Sequence, residues 1–380
     1  MKLLPHLVLA AAVAAASLAH GAPARHGAVS KAKPHKAAAK PKRVAPKIDY
    51  AGEQVNFGEW KAVNDFVDDV ALRHGFPRAE LHALVAQIRY VDSAVQLVKP
   101  APPGKPKNMN AVRALLIEPV RINAGVKFWI ENAATLERAE KEFGVPAEVI
   151  VGIIGIETVY GRNTGKFRVL DVLTTLAFAY PEAPNQVARM AFFRGELENA
   201  LVLARKNSID PFSLLGSFAG AIGMPQFMPG SVLAYGVDYD NDGAIDLRNS
   251  VADAIGSVAS FLVQHGWQRQ ETGALVFTAN VSPGRNWETF IGQGLAAKFK
   301  LAELQSGGVV TPLAPPPERW YGLIDLQNGA EATEYWIATN NFYAITQYNR
   351  SYFYAMSVIE LGRAVKLSMS AAPLIPVETL

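Results

Sequence analysis

Glu157 stands where a surface residue is not expected. In the run Gly152-Ile153-Ile154-Gly155-Ile156-Glu157-Thr158-Val159-Tyr160-Gly161-Arg162, helical spacing puts Ile153, Ile154 and Ile150 on its own face. A carboxyl group projecting from such an apolar stripe is desolvated, which raises its pKa and keeps a proton on it near neutral pH. A carboxylic acid held protonated between apolar walls suits general-acid cleavage of a glycosidic bond. The competing reading is a helix-end glutamate that turns to water or pairs with Arg162.

Three further stretches carry chemical patterns. In Asp238–Asn249, oxygen side chains occupy positions 1, 3, 5 and 9 (Asp238, Asp240, Asp242, Asp246), with Gly243 at 6, the Ala244 carbonyl at 7 and Ile245 at 8. That is EF-hand spacing, and a structural Ca2+ is the expected occupant. Asn249 replaces the bidentate glutamate at position 12, removing a charge and an oxygen, so binding should be weak. An acidic turn held by Asx hydrogen bonds is the alternative. In Gly216–Ser231, the glycines invite a phosphate cradle, but no Lys follows in Walker spacing and no strand is expected before it. They serve better for close approach of backbone to a ligand, leaving Ser217 and Gln226 as polar groups for a sugar; a tight packing corner would look the same. Asn341–Tyr354 is dense in aromatics, with Tyr hydroxyls and Asn349 available beside rings that could stack on sugars. Some of these rings must be core.

Other chemistries are excluded by composition. The chain has no cysteine, which removes disulfides, thiol catalysis, cysteine metal sites and a lipidated amino terminus. Its seven histidines form no H-x3-H pair near an acid, and no G-x-S-x-G occurs.

The elements that must position these residues are mostly helical. Helices are expected within Phe57–Val98, broken at Phe76-Pro77, and over Arg121–Phe143, stopped by Gly144. Another restarts at Val145-Pro146 and runs through Val149–Ile156 to Glu157. Leu170–Ala179, Phe192–Lys206 (Leu197, Leu201 and Leu203 inward), Ala252–His265 and Ser351–Leu367 complete the helices. Strands are expected at Ala274–Thr278, Trp320–Leu326 and Tyr335–Ile337. The fold class is therefore mainly α (α+β), with a small strand-bearing lobe late in the chain and no internal repeat.

The 380 residues, 50% hydrophobic, can bury a large core. Residues 1–22 read as a secretory signal: Lys2, the apolar run Leu7–Leu18, then small residues. That run is too short to span a membrane comfortably. Residues 23–48 carry eight Lys or Arg and no acid, so they form a basic arm of Ala, Pro and Lys that cannot fold alone. From Ile48 on there are 28 basic and 34 acidic residues, and the net charge of +3 conceals a mildly acidic body. The arm reads either as a tether to an anionic wall or membrane surface or as a solvated spacer. Export argues against nucleic acid and for a soluble periplasmic protein.

The landmarks, in this order, resemble the lytic murein transglycosylase B family. The matching stretches are GIIGIETVYGRNTGKFRVLDVLTTLAFAYP, FFRGELENALVLAR, GSFAGAIGMPQFMPGSVLAYGVDYDNDGAIDL, ADAIGSVASFLVQHGW and NFYAITQYNRSYFYAM, covering most of residues 120–365. The resemblance implies a lysozyme-like helical core with an added helical lobe and a small strand-containing lobe across residues 49–380. It implies a monomer that acts on peptidoglycan glycan strands and needs no cofactor for catalysis. Glu157 maps onto the single acid/base. Ser217, Gln226, Tyr348, Asn349 and Tyr354 map onto substrate-binding positions. Asp238, Asp240, Asp242, Ala244 and Asn249 map onto a calcium loop. Phe261 stands where the family often has tyrosine, and Asn249 where it often has aspartate. A water-using muramidase and a silent wall-binding protein are the alternatives.

Overall fold

The computed structural model describes residues 56–99 and 106–371. The signal-like segment and the basic arm lie outside the described residues.

At the centre is the helix Ala147–Thr158. Its sequence, AEVIVGIIGIET, is apolar almost all round rather than on one stripe. Val149, Ile150, Val151, Ile153, Ile154 and Ile156 are each at most 4% exposed. This corrects the expected one-sided pattern: a helix hydrophobic on every side must be buried on every side. Around it lie the helices Pro119–Glu131, Ala133–Phe143, Val251–Gln264 and Tyr352–Ala371. The last of these makes the closest approach. A Cβ added at Gly152 would lie 2.3 Å from Val358 O, and one at Gly362 would lie 2.0 Å from Glu148 O. Backbone meets backbone there because neither position carries a side chain.

The expected helix after Phe76-Pro77 divides into Arg78–Val85 and Asp92–Val98, and two further stretches differ from expectation. Arg121–Phe143 is not continuous but breaks at Asn132 (φ −120°, ψ 22°) between Pro119–Glu131 and Ala133–Phe143. The Asn132 side chain donates to Phe128 O at 2.8 Å, offering the backbone an alternative to another helical turn. Gly144 does end the second piece in the left-handed region, at φ 71°. The aromatic stretch also divides. Asn340–Tyr348 forms its own helix, capped by Thr339, and Asn349 leaves it extended before Tyr352–Ala371 begins.

The strand lobe is larger than three strands. Five antiparallel strands run β4-β6-β7-β3-β5, with β3 Val276–Val281, β4 Phe299–Lys300, β5 Val309–Val310, β6 Trp320–Asn328 and β7 Glu331–Thr339. Tyr321 and Leu323 on β6 face a small core with Phe277, Leu301, Leu304, Val309 and Ile337. Ile324 and Leu326 face the main core instead. A sheet covered on both faces explains why Tyr321–Leu326 reads as a nearly unbroken apolar run. A separate two-stranded ladder pairs β1 Phe167–Arg168 with β2 Leu215–Gly216, which brings the glycine-rich segment beside the central helix.

Candidate active site

The central helix ends at the carboxyl group singled out by the sequence. Glu157 occupies its last turn and stays half-buried. Burial pushes its carboxyl up to about 7, opposed by a hydrogen bond from Tyr354 Oη to Glu157 Oε1 at 2.6 Å. Its partner is this phenol rather than Arg162. The Tyr354 hydroxyl is itself held well above the usual phenol range, by burial first and then by the neighbouring carboxylate. It therefore remains a donor at any physiological pH.

A three-residue left-handed turn follows: Val159 (φ 52°), Tyr160 (φ 58°) and Gly161 (φ 84°). A β-branched residue rarely tolerates this region, so Val159 marks stored strain beside the carboxyl group. Thr158 offsets it. Its fully buried hydroxyl donates to Met224 O at 2.8 Å and accepts from Gly161 N at 3.0 Å. The helix end is thus tied to the glycine-rich segment.

That segment turns back on itself through bridges from Gly216 to Ile222 and from Ile222 to Phe227. Ser217 is 6% exposed, and its Oγ accepts from Ala221 N at 3.1 Å, leaving the hydroxyl proton free to donate elsewhere. Gln226 sits at φ 52°; its amide nitrogen donates to Gly223 O at 2.9 Å and Thr164 O at 3.3 Å, which keeps its carbonyl oxygen available. From the other side, Tyr348 donates its hydroxyl to Pro225 O and stacks on Tyr354 with ring centroids 6.1 Å apart and 13° between planes. Asn349 is buried, and its Oδ1 has no hydrogen-bond partner among the described residues. The break between the last two helices allows this arrangement: an uninterrupted helix would carry Tyr348 and Tyr354 to different faces. Glu157, Tyr354, Tyr348 and the 217–226 segment thus form one connected cluster.

In the acidic loop, carboxylate oxygens of Asp238, Asp240 and Asp253 lie within 4.8 Å of one another. Asp253 was missed because it falls beyond the twelve-residue spacing, on the first turn of Val251–Gln264. Asn249 turns its amide to Asp246, at 2.7 Å, and Asp242 accepts from Ala244 N at 2.9 Å. Thr158 was missed too; a hydroxyl directly after the acid was the available signal.

A family model for the Transglycosylase SLT domain matches residues 58–363. The chain belongs to this family. It is 39% identical over 312 residues to the membrane-bound lytic murein transglycosylase B of Escherichia coli K12, covering 80% of this chain and 82% of that one. The soluble lytic transglycosylase SltB1 of Pseudomonas aeruginosa superposes with a TM-score of 0.74 at 40% identity, covering 82% of this chain and all of that one. The Escherichia coli lytic transglycosylase Slt35, solved in complex with calcium, superposes with a TM-score of 0.72 at 37% identity, covering 83% and 96%. The fold of this family member is accordingly the lysozyme-like one that its motifs imply, a helical core with a small sheet lobe. Among the described residues no helix is long and apolar enough to cross a membrane.

Proposed function

We propose that this chain is a peptidoglycan lytic transglycosylase, and that it cleaves the β-1,4 bond between N-acetylmuramic acid and N-acetylglucosamine with Glu157 as its sole acid/base. The observation that carries this reading is a half-buried carboxyl group raised to about 7 at the end of an apolar helix, with a tyrosine hydroxyl 2.6 Å away. Glu157 gives its proton to the departing glycosidic oxygen as the bond to C1 breaks. The muramic acid's own N-acetyl oxygen stabilises C1, so no second carboxylate is needed, unlike two-carboxylate glycosidases. Glu157, now ionised and held by Tyr354, takes the proton of the C6 hydroxyl of the same sugar. That oxygen bonds to C1, giving a 1,6-anhydro end and no net uptake of water.

The remaining residues of the cluster bind and orient the glycan. Ser217 supplies a hydroxyl proton, Gln226 a carbonyl oxygen, and Asn349 the unpartnered Oδ1, while the half-buried Tyr348 offers its ring and Tyr354, stacked on it, backs the site. The expected products are one water lighter than those of a muramidase, which mass spectrometry of digested peptidoglycan reads directly. Glu157→Gln should abolish turnover and leave glycan binding measurable; near wild-type turnover would remove Glu157 from this role.

A calcium ion fits the acidic loop. Carboxylates of Asp238, Asp240 and Asp253 converge there while also accepting from loop N–H groups and the Ser250 hydroxyl, and hard oxygen donors suit Ca2+. Asp242 and the Ala244 carbonyl stand in the same loop, and the ion would brace it, distant from the chemistry in role. A peptidoglycan substrate and the secretory composition of residues 1–22 support action in the periplasm, with the basic arm available to anionic wall polymer.

A further inference from the structure

The strained turn after Glu157 holds a side chain that the chemistry leaves unused. Tyr160 follows Val159 as a second non-glycine residue in the left-handed region, where glycine is the usual occupant. Its backbone N–H reaches back to Ile154 O at 3.4 Å, and that of Val159 to Gly155 O at 3.1 Å. The turn therefore closes directly on the last turn of the helix that carries Glu157. Side chains of this kind do not hold such a conformation unaided; the surroundings must fix it.

The Tyr160 ring is enclosed by three helices. A Cβ added at Gly125 would lie 2.4 Å from Tyr160 Oη, and one at Gly155 would lie 2.5 Å from the same atom and 2.7 Å from Cζ. Both glycines sit inside helices, Pro119–Glu131 and Ala147–Thr158, and neither has a positive φ. Neither is needed for backbone conformation, and each weakens its helix. Their missing side chains are the space that the phenol fills. Val365 and Leu361 border the same gaps, 2.5 Å and 2.8 Å from the added carbons, on the helix that carries Tyr354. Phe128 lies 5.1 Å from the ring, centroid to centroid. The Tyr160 hydroxyl is buried with no hydrogen-bond partner among the described residues. Its contribution is therefore shape, and the unpaired hydroxyl costs stability.

We propose that Tyr160 is a positioning residue: its ring, clamped between Gly125 and Gly155, holds the left-handed turn in place and with it the carboxyl group of Glu157. What the held carboxyl then does rests on the glycan-cleaving reading. One jaw of the clamp is Glu157's own helix and the other is its neighbour, so a slack ring frees the helix end toward solvent.

The test uses the full chain with two substitutions. Tyr160→Met fills the gap with a flexible side chain that cannot clamp it. Tyr160→Phe keeps the ring and drops the unpaired hydroxyl. On peptidoglycan, Tyr160→Met should lower kcat about tenfold with KM within about twofold of wild type. Its alkaline limb should move below about 7, because the Glu157 carboxyl gains water. Tyr160→Phe should retain wild-type kcat and melt no lower than wild type. Carbon-13 NMR of the Glu157 carboxyl, assigned with Glu157→Gln, should show the same downward move in Tyr160→Met and none in Tyr160→Phe, with no substrate present. An unchanged carboxyl titration in Tyr160→Met, or a Tyr160→Phe protein as impaired as Tyr160→Met, would overturn the positioning role. If the wild type released no 1,6-anhydro ends, the glycan reading would fail by itself, and the carboxyl titration would still decide whether Tyr160 places Glu157.

Discussion

A single proton sets the behaviour of Glu157. With its carboxyl raised to about 7, the acid form predominates below that pH and the carboxylate above it. In the proposed role cleavage starts from the acid form, so kcat/KM should fall about tenfold per unit as pH rises beyond about 7. Tyr354 favours the carboxylate by donating to it. Tyr354→Phe removes that donor, raises the Glu157 pKa further and should move the alkaline limb of the pH profile to higher pH. A limb that stays put or moves down would detach Tyr354 from the titration. The position of Glu157 among isoleucines was legible in the chain because desolvation follows from neighbours three and four residues away. Its phenol partner was not, since it lies 197 residues along the chain and only packing brings the two together.

Between neighbouring elements, Thr158 and the acidic loop do the fastening. Thr158 links the end of the central helix to Met224 and closes the strained turn at Val159. Thr158→Val keeps the shape and loses both bonds. It should lower kcat by about tenfold with KM nearly unchanged, the loss coming from a displaced acid rather than a weaker glycan site. Thr158→Ser should restore most of it; a serine variant as poor as valine would deny the hydroxyl its part. In the acidic loop, added Ca2+ should raise the melting temperature of the wild type and chelator should reverse it, whereas Asp253→Asn should lose the response. An unchanged response in Asp253→Asn would take that carboxylate out of the site. Helix periodicity found most elements. It could not show that Asn132 divides one helix or that Asn349 separates two, because a single amide side chain competing for backbone bonds leaves the apolar spacing intact.

Across the whole molecule, Arg113 joins three parts of the chain. From the helix Met109–Leu116 it bonds Glu334 on β7 and Glu360 on Tyr352–Ala371, with Nη2 2.8 Å from a carboxylate oxygen of each. The guanidinium holds Glu334 down to about 2. A carboxyl lowered on folding contributes stability above its unfolded pKa of about 4.5, and that contribution is lost as pH falls toward 2. Arg113→Met should cost about 2 kcal/mol at pH 7, less than a fully buried pair because all three groups keep some solvent. Urea unfolding should show the gap to wild type closing below pH 4.5; a gap independent of pH would mean that packing, not charge, is lost. The lobe's existence was readable from its apolar runs, but its two outer strands were not. β4 and β5 are two residues each and pair only with distant partners.

Glu157 and the phenol of Tyr354 that donates to it ride on separate helices, and two absent methyl groups set how near those helices come. At Gly152 and Gly362 the nearest atoms across the helix pair are backbone carbonyl oxygens, of Val358 and Glu148. The reach from tyrosine to glutamate is in that sense a dimension machined into the scaffold, and the tolerance on it is narrower than the width of one carbon atom.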